Sequence, residues 1–362
     1  MTRSKLFQQV PRILRSVFAL VLGAVLLVIC MTLASTSAVA QFATPTQLTL
    51  VNGWVDAGFT TSHAMVEEAN GLIEFRGSIE GGTTGTAFTL PAGYRPAANV
   101  YIPVDLCNAA KGRLFIQPSG VVLVQAEKAF TDAQCFTSLD GAMFSVNATG
   151  YTALTLVNGW TNAPFGTSNA AFRNIAGGIH FKGAIATTGT NPVAFTMPAA
   201  VRPLTDVYIP IDLCNATNGR LHITPAGVAD IEAEGGTFSN AQCFTSLDGA
   251  YYIPNGGGFT PLTLINGWTN APFATSNAAA ANAFGGVYFK GAIATAGTVA
   301  QPFLLPPRFR PVTNVYVNID LCNATKGRLI IQTNGAVTVQ AEGGTFSNAQ
   351  CFTSLDGVSF IQ

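Results

Sequence analysis

The chain contains three copies of one unit, and four charged positions recur in every copy. They are Arg95, Arg202 and Arg310; Asp105, Asp212 and Asp320; Arg113, Arg220 and Arg328; and Asp140, Asp248 and Asp356. Two recurring carboxylates about 5 to 10 Å apart across a cleft could act as the acid and base that cleave a glycosidic bond. The Asp140 type, however, belongs to a Leu-Asp-Gly turn signature, and the sequence offers it no repeated partner acid.

A structural interpretation of these charges is favoured. The Asp105 type stands two residues before a cysteine, and the Arg113 type follows a glycine. An arginine fork meets a carboxylate with two hydrogen bonds, which suits a partly buried ion pair tying two strands together. The ion-pair candidates are Arg95, Asp105, Arg113, Arg202, Asp212, Arg220, Arg310, Asp320 and Arg328. We predict that the recurring charges hold the fold together and that the chain is not an enzyme.

The histidines do not recur. His63, His180 and His222 occupy different places in their units. A metal cage or a general base that belonged to the unit would appear in all three copies. We therefore predict no catalytic histidine, no metal site and no cofactor.

Each unit begins with an Asn-Gly-Trp motif that could contact a ligand. The residues are Asn52 and Trp54, Asn158 and Trp160, and Asn266 and Trp268. An exposed tryptophan beside an asparagine amide could stack on a sugar ring while the amide bonds the sugar hydroxyls. A lone tryptophan near a strand end more often lies in the core or at a domain interface, so this sugar site is the weaker alternative.

Six cysteines follow the first forty residues, two in each unit. The repeat favours bonding within each copy, as Cys107–Cys135, Cys214–Cys243 and Cys322–Cys351. These spacings are too wide for a CxxC redox or zinc motif. We predict three disulfides, which need an oxidising compartment; free buried thiols are the alternative.

The N-terminal segment has the pattern of a secretory signal peptide. A basic head with Arg3 and Arg12 precedes an apolar run, and Ala38-Val39-Ala40 supplies a cleavage site. We predict a signal helix in residues 1–40 and a protein secreted by a bacterium to the periplasm, the cell surface or the medium. The alternative is that the segment is not cleaved and anchors the protein in a membrane, which is the only membrane contact that we predict.

Charge restricts the partners. The chain has 18 Lys and Arg and 18 Asp and Glu, and residues 1–40 are basic only, so the remainder is mildly acidic. Nucleic acids and anionic membranes require concentrated positive charge, which excludes them. Only 10% of residues are charged, where about 25% is usual. Such a surface repels its neighbours weakly, which favours contact between units and self-association.

The units span about a hundred residues each, the size of one sandwich domain. Glu342–Gly357 repeats Glu234–Gly249 letter for letter, and Glu127–Gly141 is a looser copy. We assign residues 41–146, 147–254 and 255–362 to the three repeats. They could pack around a pseudo-threefold axis or lie as beads on a string.

Period-two patterning predicts strands throughout the second unit, at 154–158, 179–185, 193–197, 207–213, 220–224, 228–233 and 243–247. Glycine-rich turns separate them. Pro103 and Pro210 interrupt equivalent strands, which predicts a sheet edge or a bulge there; Asn318 leaves the third edge less protected. The fold class is all-β, with three tandem antiparallel, jelly-roll-like β-sandwiches and short helices at most.

The order of motifs resembles a known module. Asn-Gly-Trp is followed by Phe75-Arg-Gly77, Leu90-Pro-Ala-Gly-Tyr-Arg-Pro96, Gly112-Arg-Leu-Phe-Ile-Gln-Pro-Ser-Gly120 and Ser138-Leu-Asp-Gly141. This order is similar to the β-sandwich modules near the ends of bacteriophage minor tail and tail-fibre proteins, although those lack an export signal and paired cysteines. The resemblance implies a non-enzymatic module for display or attachment, often trimeric.

From these features we expect a secreted, non-enzymatic repeat protein that acts in surface display, attachment or extracellular structure. Its partner would be a surface glycan or a protein. A carbohydrate-binding module and, less favoured, a secreted glycan-active enzyme are the alternatives.

Overall fold

The computed structural model describes residues 45–146, 149–254, 257–283 and 285–362, and there the chain consists mainly of short β-strands. The first unit has β1 (Thr46–Gln47), β2 (Val55–Asp56), β3 (Met65–Ala69), β4 (Leu72–Arg76), β5 (Ser78–Glu80), β6 (Thr86–Thr89), β7 (Val100–Asp105), β8 (Lys111–Ile116), β9 (Val121–Ala126), β10 (Thr137–Ser138) and β11 (Met143–Ser145).

The other two units repeat this series. The second has β12 (Thr152–Ala153), β13 (Trp160–Asn162), β14 (Ala171–Ile175), β15 (Gly178–Lys182), β16 (Ala184–Thr187), β17 (Val193–Thr196), β18 (Val207–Asp212), β19 (Asn218–Ile223), β20 (Val228–Ala233), β21 (Thr245–Ser246) and β22 (Tyr251–Tyr252). The third has β23 (Thr260–Pro261), β24 (Trp268–Asn270), β25 (Ala279–Ala283), β26 (Gly286–Lys290), β27 (Ala292–Thr295), β28 (Phe303–Leu304), β29 (Val315–Asp320), β30 (Lys326–Ile331), β31 (Ala336–Ala341), β32 (Thr353–Ser354) and β33 (Ser359–Ile361).

Helices are short, as the sequence predicts. Each unit has one α-helix of six residues: α1 (Phe130–Cys135), α2 (Phe238–Cys243) and α3 (Phe346–Cys351). Single 3₁₀ turns lie at Ala92–Tyr94, Cys107–Ala109, Pro164–Gly166, Ala199–Val201, Cys214–Ala216, Glu234–Gly236, Pro272–Ala274, Pro307–Phe309, Cys322–Ala324 and Glu342–Gly344. Within the described ranges, no helix has the length and apolarity that crossing a membrane requires.

In each unit two four-stranded antiparallel sheets and a three-stranded sheet surround one apolar core. In the second unit the sheet orders are β12-β14-β15-β22, β17-β20-β19-β18 and β13-β16-β21. Phe181 from the first sheet and Ile209 and Leu221 from the second belong to one cluster of buried side chains. Equivalent clusters fill the first and third units. The all-β, sandwich-like fold class is therefore confirmed.

One predicted strand is divided. Residues 179–185 form β15 and β16, which belong to different sheets, because Gly183 bends the chain between them with φ +88°. A Cβ atom there would lie 2.5 Å from the carbonyl oxygens of Ser168 and Asn169, so only glycine fits. Alternation of apolar residues continues across the bend, and the sequence pattern does not reveal it.

Of the other predicted strands, the one at residues 154–158 is wrong, and the rest are found with shifted ends. Residues 154–158 form a single bridge, from Leu156 to Phe195, and residues 243–247 hold the end of α2 and only β21. The edge-strand prediction is confirmed, since β7, β18 and β29 lie at the ends of their sheets. In units one and two the prolines of these strands therefore interrupt no interior ladder.

The three units close into a ring. Backbone contacts join Asn99 to Thr167, Asp206 to Thr275, and Asn314 back to Thr60. Each unit thus contacts both others, and the edge strands β7, β18 and β29 lie against one another at the centre. This is the pseudo-threefold arrangement and not beads on a string.

Each unit has one disulfide, as predicted: Cys107–Cys135, Cys214–Cys243 and Cys322–Cys351, with Cα atoms 5.7 Å apart in every case. Each bond ties the last residue of the α-helix to the 3₁₀ turn after the edge strand. Three such bonds indicate an oxidising environment. The predicted signal peptide, residues 1–40, lies outside the described residues.

Removing one disulfide tests its contribution. The loop that Cys214–Cys243 closes has a sequence separation of 29 residues, for which chain entropy gives about 3–4 kcal/mol. We expect Cys214→Ala with Cys243→Ala to reduce the free energy of unfolding by about that amount in non-reducing urea titrations. The corresponding pair in the first unit is the matched comparison, and a similar loss is expected there. Peptide mapping that found bonds between different units would contradict the assignment.

Candidate binding site: three aromatic clefts between the units

The clefts arise where an edge strand of one unit meets the Ser-Leu-Asp-Gly loop of the next. The hydroxyl of Ser246 donates a 2.6 Å hydrogen bond to the carbonyl oxygen of Tyr101 in β7. Ser354 does the same to Tyr208, and Ser138 to Tyr316, both at 2.6 Å. An edge strand leaves backbone groups unpaired, and these serine hydroxyls satisfy one carbonyl in each strand.

The aspartate of the same loop holds two units together. Asp140 Oδ1 accepts a hydrogen bond from Gly77 N at 2.8 Å, and its Oδ2 accepts one from Tyr316 N of the third unit at 3.3 Å. Asp248 and Asp356 accept equivalent bonds from Gly183 N and Gly291 N, both at 2.9 Å. Their second oxygens lie outside hydrogen-bond geometry. These carboxylates have a structural role, as the turn signature predicts.

Burial raises the pKa of Asp140, Asp248 and Asp356 to about 7, although backbone hydrogen bonds act in the opposite direction. A buried carboxylate loses the hydration of its charged form, and the backbone hydrogen bonds replace that hydration only in part. Deprotonation of these three carboxyl groups therefore destabilises the packed arrangement of the units.

The recurring arginines and aspartates do form ion pairs, and the pairs cross the junctions. Arg113 Nη1 lies 3.0 Å from Asp212 Oδ2, Arg220 Nη1 lies 3.3 Å from Asp320 Oδ2, and Arg328 Nη1 lies 3.0 Å from Asp105 Oδ2. Each arginine thus contacts the aspartate of the following unit, so that the pairs tie units together and not only strands.

The other arginine candidates have a different role. The Nε groups of Arg95, Arg202 and Arg310 donate to the backbone oxygens of Leu90, Met197 and Leu305, at 2.9, 3.0 and 3.0 Å. Among the described residues none of these three arginines forms an ion pair. They fix the turn that precedes each edge strand.

Two buried lysines also take part in the junction ion pairs, and the sequence did not predict them. Lys111 Nζ lies 2.8 Å from Asp212 Oδ1, and Lys326 Nζ forms the equivalent bond to Asp105 Oδ1. Both lysines are 1% exposed. The available signal was the Lys-Gly-Arg sequence in the first and third units, which becomes Asn218-Gly-Arg in the second.

The tryptophan hypothesis is wrong. Trp54, Trp160 and Trp268 are only 3%, 4% and 5% exposed. Their indole N–H groups donate to the carbonyls of Thr84, Asn191 and Val299, so neither ring face nor polar edge is available to a sugar. The tryptophans are core residues because each packs against the α-helix of its own unit. Trp160, for example, meets Phe238 of α2 edge-on, with ring centroids 6.2 Å apart.

The neighbouring asparagines also serve the fold. Asn52, Asn158 and Asn266 adopt φ values of 54°, 55° and 54°, a left-handed conformation that asparagine tolerates. Their amides donate to the carbonyls of Thr86, Val193 and Gln301. The Asn-Gly-Trp motif is therefore a turn and not a ligand site.

Aromatic rings form the wall of each cleft. At the first junction the Tyr101 ring is stacked on Phe115 at 4.5 Å and is met edge-on by Phe244 of the second unit at 4.9 Å. Arg113 lies over the tyrosine, 4.8 Å from the ring centre. Phe165 contacts Phe244 edge-on at 5.6 Å and is 60% exposed.

The second junction has the same cleft, built from Tyr208, Arg220, Phe273, Asn323 and Phe352. The two cavities measure about 190 and 110 Å³. At the third junction the ring series is Tyr316, Phe136 and Phe59, with Arg328 5.3 Å from the Tyr316 centre. Unlike the histidines, this arrangement recurs in every copy.

Strained turns present the exposed side chains. Phe165 and Phe273 have φ values of 55° and 54°, although a bulky side chain disfavours this conformation and such strain concentrates at ligand sites. Asn215, which is exposed and also left-handed at φ 60°, faces Phe165 across the first cleft. The first two clefts therefore combine exposed apolar ring faces with an asparagine amide at the rim, Asn215 in one and Asn323 in the other.

The histidines lie apart from one another. His63 contacts Asp56, while His180 is buried and stacked on Tyr251. His222 is stacked on Tyr208 and lies 3.2 Å from Asp230, and its ligand atoms with those of Asp230 and Glu232 fall within 4.8 Å of one another. Burial opposes protonation of His222, yet the hydrogen bond and charge of Asp230 raise its pKa. This group could hold a metal but belongs to the second unit alone.

A second such group is shared by all units. Glu127, Glu234 and Glu342 bring carboxylate oxygens within 4.8 Å of one another, and Lys128 pairs with Glu342 at 2.8 Å. Burial and the neighbouring glutamates raise the pKa of Glu234 to about 7.

Comparison with known proteins gives no relative: no protein-family model matches the chain, and no curated protein or solved structure shows significant similarity to it.

The junction ion pairs can be tested by removing one carboxylate. Asp212→Ala leaves Lys111 buried without its counter-charge, and Arg113 loses a partner. We expect a loss of about 3–5 kcal/mol in the free energy of unfolding, measured by urea titration. The control is Glu232→Gln, which gives the second unit the glutamine that the others have at Gln125 and Gln340; its effect should stay within about 1 kcal/mol. Equal effects of the two substitutions would contradict the assigned roles.

The buried carboxylates predict a stability that falls as the pH rises from about 4 to about 8. The last part of this fall, from about pH 6.5 to about pH 8, is free of the opposing effect of His180. A folded-state pKa of about 7 for Asp140, Asp248 and Asp356 lies above the ordinary value of 3.8. Such groups contribute stability below the unfolded pKa and lose it as the pH rises through the folded pKa. Burial lowers the pKa of His180 to about 3, so its opposing effect is confined to pH values below about 6.5.

We expect Tm to decrease from about pH 6.5 to about pH 8, with each group adding at most about 1.4 kcal/mol per pH unit to the slope. Asp140→Asn keeps the shape of the side chain without its charge and should reduce the slope. A Tm that rises over this range would refute the argument.

Proposed function

We propose that the chain is an exported, non-enzymatic attachment protein whose three junction clefts bind sugar rings of a repetitive surface glycan. The observation that carries this proposal is the recurrence of one aromatic cluster, with an exposed phenylalanine, at the junctions of all three units. Each junction carries one exposed phenylalanine, Phe59, Phe165 or Phe273, with exposed fractions of 48%, 60% and 59%, and at Phe165 and Phe273 the backbone is also left-handed.

The chemistry of the clefts favours a sugar. The apolar face of a pyranose packs on aromatic rings, and an amide at the rim can bond its hydroxyls. The cavities of about 190 and 110 Å³ are smaller than the roughly 300–1,000 Å³ of sites that enclose a whole small molecule. They suit one ring of a chain that continues outside.

Three weak sites on one rigid body favour a repetitive ligand. When several sites engage one polymer, each later binding event is intramolecular, and the combined affinity can exceed that of one site by about 10²–10⁴. The ring of units fixes the spacing of the clefts without a linker. The resemblance to phage tail modules, which serve attachment, supports the same function.

The recurring carboxylates support a binding role over catalysis. The Asp105 type is paired with arginine across the junctions, and the Asp140 type accepts backbone hydrogen bonds. A glycosidase needs one carboxyl group poised as acid and another as base or nucleophile beside a cleft. These aspartates instead serve as structural acceptors.

Glycan-array screening of the full chain, followed by calorimetry on the best polysaccharide, tests the proposal. We expect Phe165→Ala to weaken polymer binding about 10-fold and the triple variant at Phe59, Phe165 and Phe273 to abolish it. Since these rings are largely exposed, Tm should change little. The matched control is Leu304→Ala, an exposed apolar residue on β28 with 52% exposure, which should bind as the parent does. Undiminished binding by the triple variant, or turnover of the polysaccharide, would overturn the proposal.

A further inference from the structure

The three junctions differ at one buried position. At the first, Asp212 receives two cations, the ammonium group of Lys111 on Oδ1 and the guanidinium of Arg113 on Oδ2. At the third, Asp105 receives Lys326 and Arg328 in the same way. At the second, Asn218 stands where the others have lysine, and only Arg220 reaches Asp320.

This replacement leaves two buried oxygens without a donor. Asp320 and Asn218 are both 0% exposed. Asp320 Oδ1 and Asn218 Oδ1 have no hydrogen-bond partner among the described residues, and the Asn218 amide nitrogen donates a hydrogen bond to the carbonyl oxygen of Ala324 at 2.8 Å. An unpaired buried acceptor, above all a charged one, destabilises a protein strongly.

Among the described residues the one cationic group left at this junction, the guanidinium of Arg220, does not fully compensate the buried charge of Asp320. Arg220 is shared, since its Nη2 lies 2.6 Å from Glu232 Oε2 while its Nη1 lies 3.3 Å from Asp320. Burial raises the pKa of Asp320 to about 8, against the charge and hydrogen bond of Arg220, and the charges of Glu232 and Glu234 add to the rise. The second junction therefore lacks the positive charge that lysine supplies to the others.

The lysine junctions show where a cation would sit. Lys111 Nζ lies 2.8 Å from Asp212 Oδ1 and 3.0 Å from the carbonyl oxygen of Gly112. The counterparts at the second junction are Asp320 Oδ1 and the carbonyl of Gly219. Asparagine is shorter than lysine and carries no charge, so the second junction has no ammonium group beside Asp320 in the part of the chain that the structure describes.

We propose that the junction between the second and third units binds one monovalent metal cation at the position that the lysine ammonium group occupies in the other two, with Asp320 Oδ1 and Asn218 Oδ1 as ligands. The oxygen ligands suit a hard cation. A single charge is indicated because the cation replaces one ammonium group opposite one carboxylate that is already paired with Arg220. The resulting site joins two units in the way that Lys111 and Lys326 do.

Cation-dependent stability tests the proposal. The Tm of the full chain is measured at pH 8.5 in KCl, NaCl and tetramethylammonium chloride at equal ionic strength, since the last cation is too large for the site. At about 100 times the dissociation constant, binding raises the folding equilibrium constant about 100-fold, and we expect Tm to rise by roughly 5 °C in K⁺ or Na⁺.

Asn218→Lys is the matched variant, because it installs the side chain that the other two junctions carry. We expect this variant to have in tetramethylammonium chloride the Tm that the parent reaches only in K⁺ or Na⁺, and to lose the dependence on the cation. If the parent is equally stable in all three salts, a proton or a water molecule serves Asp320 and the proposal is wrong. A cation effect that persists undiminished in Asn218→Lys would also overturn it, because the cation would then bind elsewhere.

A crystallographic experiment on the unaltered chain gives an answer even if the variant does not fold. Crystals soaked in Rb⁺ or Tl⁺ should show an anomalous peak between Asp320 and Asn218 and none beside Lys111 or Lys326. The absence of a peak at Asp320 would refute the site.

Discussion

The structure depends on how three edge strands are satisfied at the centre of the ring. An exposed edge strand leaves its backbone donors and acceptors free to pair with another chain, and proteins must cover it. Here the Ser-Leu-Asp-Gly loop of the adjacent unit covers the edge strand. Its serine hydroxyl donates a hydrogen bond to the tyrosine carbonyl of that strand, as Ser246 does to Tyr101. A proline in β7 and β18 removes one further donor. Because no unit covers its own edge, three units must close on one another, and a linear array would leave one edge bare.

The same short segment also produces the clefts. In Cys243-Phe-Thr-Ser246 the cysteine fixes the segment to the turn after the edge strand, the phenylalanine meets Tyr101 of the first unit edge-on, and the serine covers the strand. Four consecutive residues therefore form the disulfide, one wall of the cleft and the hydrogen bond across the junction. This accounts for the Cys-Phe-Thr-Ser sequence in all three units, at Cys135–Ser138, Cys243–Ser246 and Cys351–Ser354: a shift of one position would move every one of these contacts together.

Much of the fold could be predicted from the sequence, and the failures have a common cause. Strand patterning, cysteine spacing and proline positions are local or repeat-specific signals, and they gave the fold class, the disulfides and the edge strands. Repetition reveals that Arg113 and Asp105 recur, but it is equally compatible with a pair inside one unit and with a pair between units, such as Arg113 with Asp212. Likewise, Trp160 is buried by a helix whose position depends on the fold as a whole. The bend at Gly183 depends on the approach of a distant backbone segment.

Fusing the three units into one chain permits differences that an assembly of identical chains forbids. Glu74, His180 and Tyr288 occupy equivalent buried positions, in β4, β15 and β26. The Tyr288 hydroxyl donates to Glu74 at 2.9 Å, and His180 is stacked on Tyr251, which meets Tyr288 edge-on at 5.4 Å. Burial raises the pKa of Glu74 to about 7 even with this hydrogen bond. Three glutamates at these positions would place like charges in one buried region, which is costly, and three tyrosines would leave their hydroxyls without this acceptor. The triplicated chain can instead place a donor opposite an acceptor, and the same freedom allows Asn218 to differ from Lys111 and Lys326.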